Sequence, residues 1–196
     1  MNLPKRLFFT GVPGSRWSGI SQYLSQLSQI DNSDQTLDRN YRHGSFTGHK
    51  GSYFGKGMEF DANIEEVSDP EALVDSPFSG SGMRIIKSHD WSYKLPLVRH
   101  LFHDDWIMLV YRPDLPSFFW WHEAGGFDIT YPCYDAYGDS INMLNEICKQ
   151  NEEILKFASA HDATWKNFTS SWIEETFGER IEVKDTWADI LVTVIK

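Results

Sequence analysis

Residues 7 to 19, Leu-Phe-Phe-Thr-Gly-Val-Pro-Gly-Ser-Arg-Trp-Ser-Gly, constrain the fold more than any other stretch. Leu7 to Thr10 is a short apolar run of the kind that parallel sheets bury on both faces. Gly11, Pro13 and Gly14 turn the chain. From Trp17 to Leu27 apolar residues return at helical spacing, with Ile20, Tyr23, Leu24 and Leu27 on one face. A strand, a glycine-bearing turn and a helix in succession aim backbone N–H groups and a positive helix end at one point. That geometry suits a phosphate.

The alternation continues along the chain. Asp69 to Val74 reads as a short helix with Asp69 as cap and Pro70 at its first position. Met83 to Ile86 reads as a second buried strand, ending in Lys87-Ser88-His89-Asp90, and Leu95 to Phe102 as a helix. Trp106 to Tyr111 is the strongest strand signal and ends at Arg112. Pro113 then opens a helix with Pro116 in its first turn. Ile141, Leu144, Cys148, Leu155 and Ala158 trace an amphipathic helix from about Gly138 to Ala160. Ala163 to Phe168 reads as a strand, Thr169 to Phe177 as a capped helix stopping at Gly178, and Ile190 to Ile195 as a last strand. Strands alternating with helices imply an α/β fold, a doubly wound, mainly parallel sheet with helices on both faces. No repeat or long linker divides the chain, so residues 1–196 read as one domain. The exception to the pattern is a glycine-rich stretch at about 41–63. It carries five glycines with interleaved aromatics and reads as an acceptor-binding loop or as a floppy insertion.

Charge and cysteine usage narrow the function classes. A net charge of −10 argues against a nonspecific nucleic-acid binder, which needs a basic face, so an anion site must be built locally. Cys133 and Cys148 make neither a disulfide framework nor a metal site, and free thiols fit a reducing compartment. Lys5 and Arg6 precede an apolar run too short for a signal peptide or membrane span. The expectation is a cytoplasmic protein that binds no nucleic acid, no membrane and no metal.

The 11–18 loop resembles a Walker A loop, Gly-x-x-x-x-Gly-Lys-[Ser/Thr], at Gly11 and Ser18. Arg16 stands at the second glycine and Trp17 at the lysine, which argues against routine ATP chemistry. In open α/β sheets, ligands bind outside the carboxyl ends of the strands. Three expected strand ends carry pointed chemistry: the 11–18 loop, then Lys87, Ser88 and His89, then Arg112.

In that order the three ends resemble the sulfotransferases that use 3′-phosphoadenosine 5′-phosphosulfate (PAPS), over roughly residues 5 to 123. Their first-strand loop is similar to Thr-Tyr-Pro-Lys-Ser-Gly-Thr-Thr-Trp. Thr10, Pro13, Ser15 and Ser18 match it, whereas Gly14 stands at the loop lysine and Arg16 at a glycine. Lys87-Ser88-His89 looks like the Lys-Thr-His strand end whose histidine is the catalytic base. Arg112 followed by Ser117 looks like the 3′-phosphate element, although Trp120 occupies the position of the family's serine. The resemblance implies a P-loop NTPase-like fold and PAPS as cofactor. It implies His89, Lys87 and Arg16 as catalytic residues, Arg16 compensating for the absent lysine. Pro13, Gly14, Ser15, Arg16, Trp17, Ser18, Arg112 and Ser117 would then bind the cofactor. The family's C-terminal Arg-Lys-Gly-x-x-Gly stretch has no counterpart, and nothing in the sequence names the acceptor.

The residue types fit sulfuryl transfer to a hydroxyl or amine acceptor. A neutral histidine suits proton removal from the acceptor near pH 7, and donors must meet the leaving phosphate and the transferring oxygens. Two other readings stand beside it. One is a P-loop kinase for a small molecule or nucleotide, with Asp90 as the strand-end carboxylate for Mg²⁺. The other is a catalytically silent nucleotide-binding module.

Overall fold

The computed structural model describes residues 3–43, 47–55, 63–129, 135–185 and 187–196. A five-stranded sheet forms its middle. The strands are β1 (Arg6–Gly11), β4 (Arg84–Lys87), β5 (Trp106–Tyr111), β6 (Lys166–Asn167) and β7 (Leu191–Ile195), in the spatial order β4-β1-β5-β7-β6. A separate antiparallel hairpin pairs β2 (Asn40–His43) with β3 (Thr47–Lys50). β1 is parallel to both of its neighbours, while β7 is antiparallel to β5 and to β6. The sheet is therefore mixed and mostly parallel.

Side chains alternate across it, as the period of two requires. Leu7, Phe9, Ile85, Trp106, Met108 and Val110 pack with the buried residues of α1 (Trp17–Leu24) and α6 (Ser170–Phe177). Phe8, Ile86, Ile107 and Leu109 pack with those of α2 (Pro70–Asp75), α3 (Trp91–Leu101) and α5 (Ser140–Ala160). Each fully buried side chain of this size contributes roughly 1.5–3 kcal/mol.

Local signals start and stop several helices. Asp69 accepts the Ala72 N–H for α2, Asp139 accepts those of Ile141 and Asn142 for α5, and Thr169 accepts that of Trp172 for α6. α6 ends at Gly178 with φ of 80°. α3 starts at Trp91, four residues before the sequence places it, so Pro96 lies inside the helix instead of at its start. The strand expected over 163–168 is reduced to Lys166–Asn167. The glycine-rich stretch holds the β2–β3 hairpin, and its residues 44–46 and 56–62 lie outside the described residues, as does Cys133. Among the described residues, no helix is long and apolar enough to cross a membrane.

At the amino end of β1, Arg6 is only 3% exposed. Its guanidinium donates to Asp105 (2.8 Å), Glu71 (2.7 Å) and Asp75 (2.8 and 2.9 Å). Arg84 reaches the same Asp75 at 2.7 Å. This network joins β1, β4, α2 and the turn before β5 at one end of the sheet. At the opposite end, the order β4-β1-β5 leaves β1 flanked by strands on either side of it. That is a topological switch point, with the carboxyl ends of β1, β4 and β5 side by side.

Candidate functional site

β1 ends at Gly11 and the chain turns tightly. Both the backbone N–H and the Oγ of Ser15 donate to the Val12 carbonyl, at 3.0 and 2.7 Å. Gly14 has φ of 78°, and a Cβ there would collide with the backbone carbonyl of Ser117 on α4 (Asp114–Glu123). Arg16, a non-glycine residue, is left-handed with φ 65° and ψ 13°. That conformation costs roughly 1–2 kcal/mol and marks a position held by its surroundings. α1 begins at the next residue, and no side chain caps it, unlike α2, α5 and α6. The first-turn amides of Trp17, Ser18 and Gly19 have no intrahelical acceptor by geometry. They face the end of the helix where the dipole is positive.

Beside the loop lies a cavity of about 50 Å³ walled by Pro13, Gly14, Ser18, His89, Trp121 and Tyr137, among others. His89 stands two residues past β4, and its ring is 4.4 Å from that of Trp17, edge to face. Nδ1 of His89 pairs with the Gly11 carbonyl. A carbonyl only accepts, so the tautomer is assigned with the proton on Nδ1, and the lone pair of the neutral ring falls on Nε2. His89 also lines a second pocket of about 200 Å³ with Glu146 and Gln150 of α5. It stands where the two spaces meet.

On the other side of the loop, a cleft of about 450 Å³ is lined by Arg16, Ser18, Trp120, Lys184, Asp185 and Trp187, among others. The Arg16 guanidinium carbon lies 4.0 Å from the Trp120 ring centre and 5.0 Å from that of Trp187. Burial lowers the pKa of Arg16, with Arg112 adding to it against the opposing Asp185. Arg16 remains a cation, stacked between two indoles at the edge of the cleft.

The remaining expected residues occupy other roles. Lys87 is 4% exposed, donates to the Lys50 carbonyl at 2.6 Å and lies 4.7 Å from the Tyr53 ring centre. It shares its face with Ile85, beneath the Gly51–Phe54 segment that the hairpin leads into, and it is not among the residues walling the loop cavity. Its charge also reaches Asp34, whose carboxyl is pushed up by burial and only partly drawn back by Lys87. Arg112 donates from Nη1 to the Gly14 carbonyl at 3.0 Å and from Nε to Asp189 at 2.7 Å. Ser117 is fully buried, and its hydroxyl donates to the Arg112 carbonyl at 3.2 Å. Asn151 Nδ2 donates to the same carbonyl at 2.9 Å. Arg112 and Ser117 thus hold the loop against α4, and a phosphate could not reach Ser117 without unpacking that helix. Ser15, fully buried and bonded within the turn, likewise shapes the loop.

Residues that the sequence reading missed are Trp187, Glu146 and Gln150. Gln150 carried a signal, since it is a polar residue in the buried stripe of α5 with Met143, Ile147 and Ile154. Among the described residues, no group of three or more His, Cys, Asp or Glu side chains is placed to hold a metal ion. Comparison with known proteins yields no matching family model, curated protein or solved structure.

Proposed function

We propose that this chain is a small nucleotide-dependent transferase with a P-loop NTPase-like fold, moving a sulfuryl group from PAPS to a hydroxyl or amine acceptor. The observation that carries the reading is His89. It sits at the phosphate-suited loop, with Nδ1–H engaged by the Gly11 carbonyl and its basic lone pair on Nε2. PAPS, when bound, supplies the sulfuryl group. The uncapped amides of Trp17, Ser18 and Gly19 and the Ser18 hydroxyl hold the 5′-phosphate end. The nucleoside lies in the 450 Å³ cleft, with Trp120 and Trp187 as stacking surfaces. His89 Nε2 takes the acceptor proton as the acceptor attacks.

Because Arg112 and Ser117 are bonded into the loop support, this reading assigns the 3′-phosphate to other groups. The cations lining the cleft are Arg16 and Lys184, and they are the proposed partners for it, beside the carboxylates of Glu182 and Asp185. A cytoplasmic setting belongs to the same proposal and accords with Cys148 as a free thiol.

The burial of Lys87 under the Gly51–Phe54 segment favours a second reading, a nucleotide-binding module without turnover, because it withdraws a charged donor from the transferring group. Calorimetric titration with 3′-phosphoadenosine 5′-phosphate (PAP), adenosine 5′-phosphate (AMP) and ATP–Mg²⁺ tests the proposal. PAP should bind at least ~10-fold tighter than AMP, about 1.4 kcal/mol. Equal affinity for the two overturns the sulfotransferase reading, and tight ATP–Mg²⁺ binding replaces it with the kinase. PAP preference without turnover on any acceptor selects the silent module.

A further inference from the structure

We infer that α4 and α5 form a face on which a second copy of this chain docks, antiparallel, about a two-fold axis at Cys148. α5 carries two apolar stripes. Met143, Ile147, Ile154 and Phe157 are buried in the core beneath the sheet. Ile141, Leu144, Cys148 and Leu155, spaced three, four and seven residues apart, run along a different side of the helix. Ile141 is 72% and Leu155 39% exposed, and Leu144 and Cys148 between them are half-buried. α4 runs antiparallel beside this stripe. Its first residue, Asp114, accepts Cys148 Sγ at 3.4 Å and Asn151 Nδ2 at 2.6 Å, and Trp121 near its end meets the ring of Tyr137 just ahead of α5. Leu115 and Phe119, one turn apart on α4, are 55% and 59% exposed. With Ile141 and Leu155 they make up most of the large apolar side chains exposed among the described residues.

Apolar residues at heptad spacing on an outer helix face are answered by another helix. Four side chains of this size, each about half exposed, present roughly 400 Å² of apolar surface, the scale that marks interaction sites. A stable interface takes about 800 Å² from each partner, so this face supplies a core and its polar border the rest. Charge chooses the partner. Two copies of a chain with net charge −10 repel each other, and a locally neutral face is where they can meet. The solvent border of the α5 stripe is such a place: Lys149 and Lys156 stand against Glu152 and Glu153, with Lys156 3.7 Å from Glu153. A strongly charged partner finds no excess charge to pair with along it. Symmetry agrees, since Ile141 and Leu155 lie about 10 Å along the helix on either side of Cys148. A two-fold axis there sets each copy's Ile141 against its partner's Leu155, so the stripe meets itself as an isologous interface must. The docking face does not rest on the transferase reading.

Sedimentation velocity of the chain at neutral pH, from ~1 to ~100 µM, is the test. The parent should sediment as a dimer at the upper end. Ile141→Glu, Leu155→Lys and Phe119→Glu alter exposed side chains, so each should keep the parent's circular dichroism while its dimer dissociates at least ~10-fold more readily. Leu37→Glu, exposed outside this face, should sediment like the parent. Mixing Ile141→Glu with Leu155→Lys should restore association, because the axis brings the two opposite charges together and leaves the second contact unaltered. A parent that stays monomeric overturns the inference and leaves the face to a different protein. A dimer unchanged in any folded variant of the face overturns it as well, as does a mixture that stays monomeric.

Discussion

Arg112→Ala separates loop support from phosphate recognition. In the structure, the Arg112 guanidinium gives one charge-assisted bond to the Gly14 carbonyl at 3.0 Å and one to Asp189 at 2.7 Å. Bonds from a charged donor contribute about 1.5–3 kcal/mol. The Asp189 side chain is 42% exposed, so that pair adds at most about 1 kcal/mol after solvent screening. Alanine should therefore cost roughly 2–4 kcal/mol, and the thermal midpoint should fall by roughly 5–15 °C for a domain of this size. Because the loss loosens Gly14, and with it the whole loop, AMP and PAP should weaken by the same factor. Calorimetric melting and paired titrations measure both quantities. An unchanged midpoint together with selective loss of PAP affinity would refute the argument and return Arg112 to the 3′-phosphate.

Four further outcomes follow from the same structure. Gly14→Ala places a Cβ against the Ser117 carbonyl at a φ of 78°, so nucleotide affinity should fall at least ~10-fold; retained affinity by titration would show that the loop yields. Arg6→Met leaves Asp105 buried without its cation and should cost about 3–5 kcal/mol in urea unfolding, with a loss below about 1 kcal/mol contradicting it. At Asp75, burial raises the carboxyl pKa, but hydrogen bonds from Arg6, Lys5 and Arg84 outweigh it and hold it well below the carboxylate range. A depressed native pKa stabilises fully above the unfolded value of about 3.9 and loses that contribution as pH falls below it. Stability should therefore drop on acidification below about pH 4, more shallowly in Arg6→Met, and equal acid slopes would count against this. His89→Ala should lower sulfuryl transfer by about 10²–10⁴ while PAP affinity holds, and near-normal turnover would remove His89 as base.

The fold was legible where one local signal sufficed. Trp106–Tyr111 is the strand read from its apolar run, residue for residue, and the Asp69 and Thr169 caps start the helices read from them. Tertiary contacts decided the rest. Nothing local marks Arg6 for burial, yet it is buried because Glu71 and Asp75 of α2 and Asp105 before β5 arrive from two other segments. The run from Ala163 to Phe168 has strand composition, and Ala163 and Trp165 pack on the α3–α5 side with Phe168 on the α1–α6 side, as alternation requires. Only Lys166 and Asn167, however, pair with β7.

At the site, strand ends predict a location and leave direction open. The order β4-β1-β5 brings His89, the loop and Arg112 together, as a switch point must. Direction then follows from the pleat: Lys87 shares its face with Ile85, and the segment after the hairpin closes over that face, which no local pattern announces. Gly14 shows why the loop departs from the lysine-bearing pattern. Its positive φ and the Ser117 carbonyl leave no room for a side chain, so this packing forbids a lysine there. The forbidding contact comes from the α4 turn whose Ser117 hydroxyl bonds the carbonyl of Arg112, the residue that itself braces the loop through the Gly14 carbonyl. Loop support and a position-14 lysine are thus mutually exclusive in this chain. Arg16, the left-handed residue just before α1, directs its cation along the indoles of Trp120 and Trp187. A charge held there lies on the 450 Å³ cleft proposed for the nucleoside, so in that proposal it serves recognition of the nucleotide more than polarisation of the transferring group.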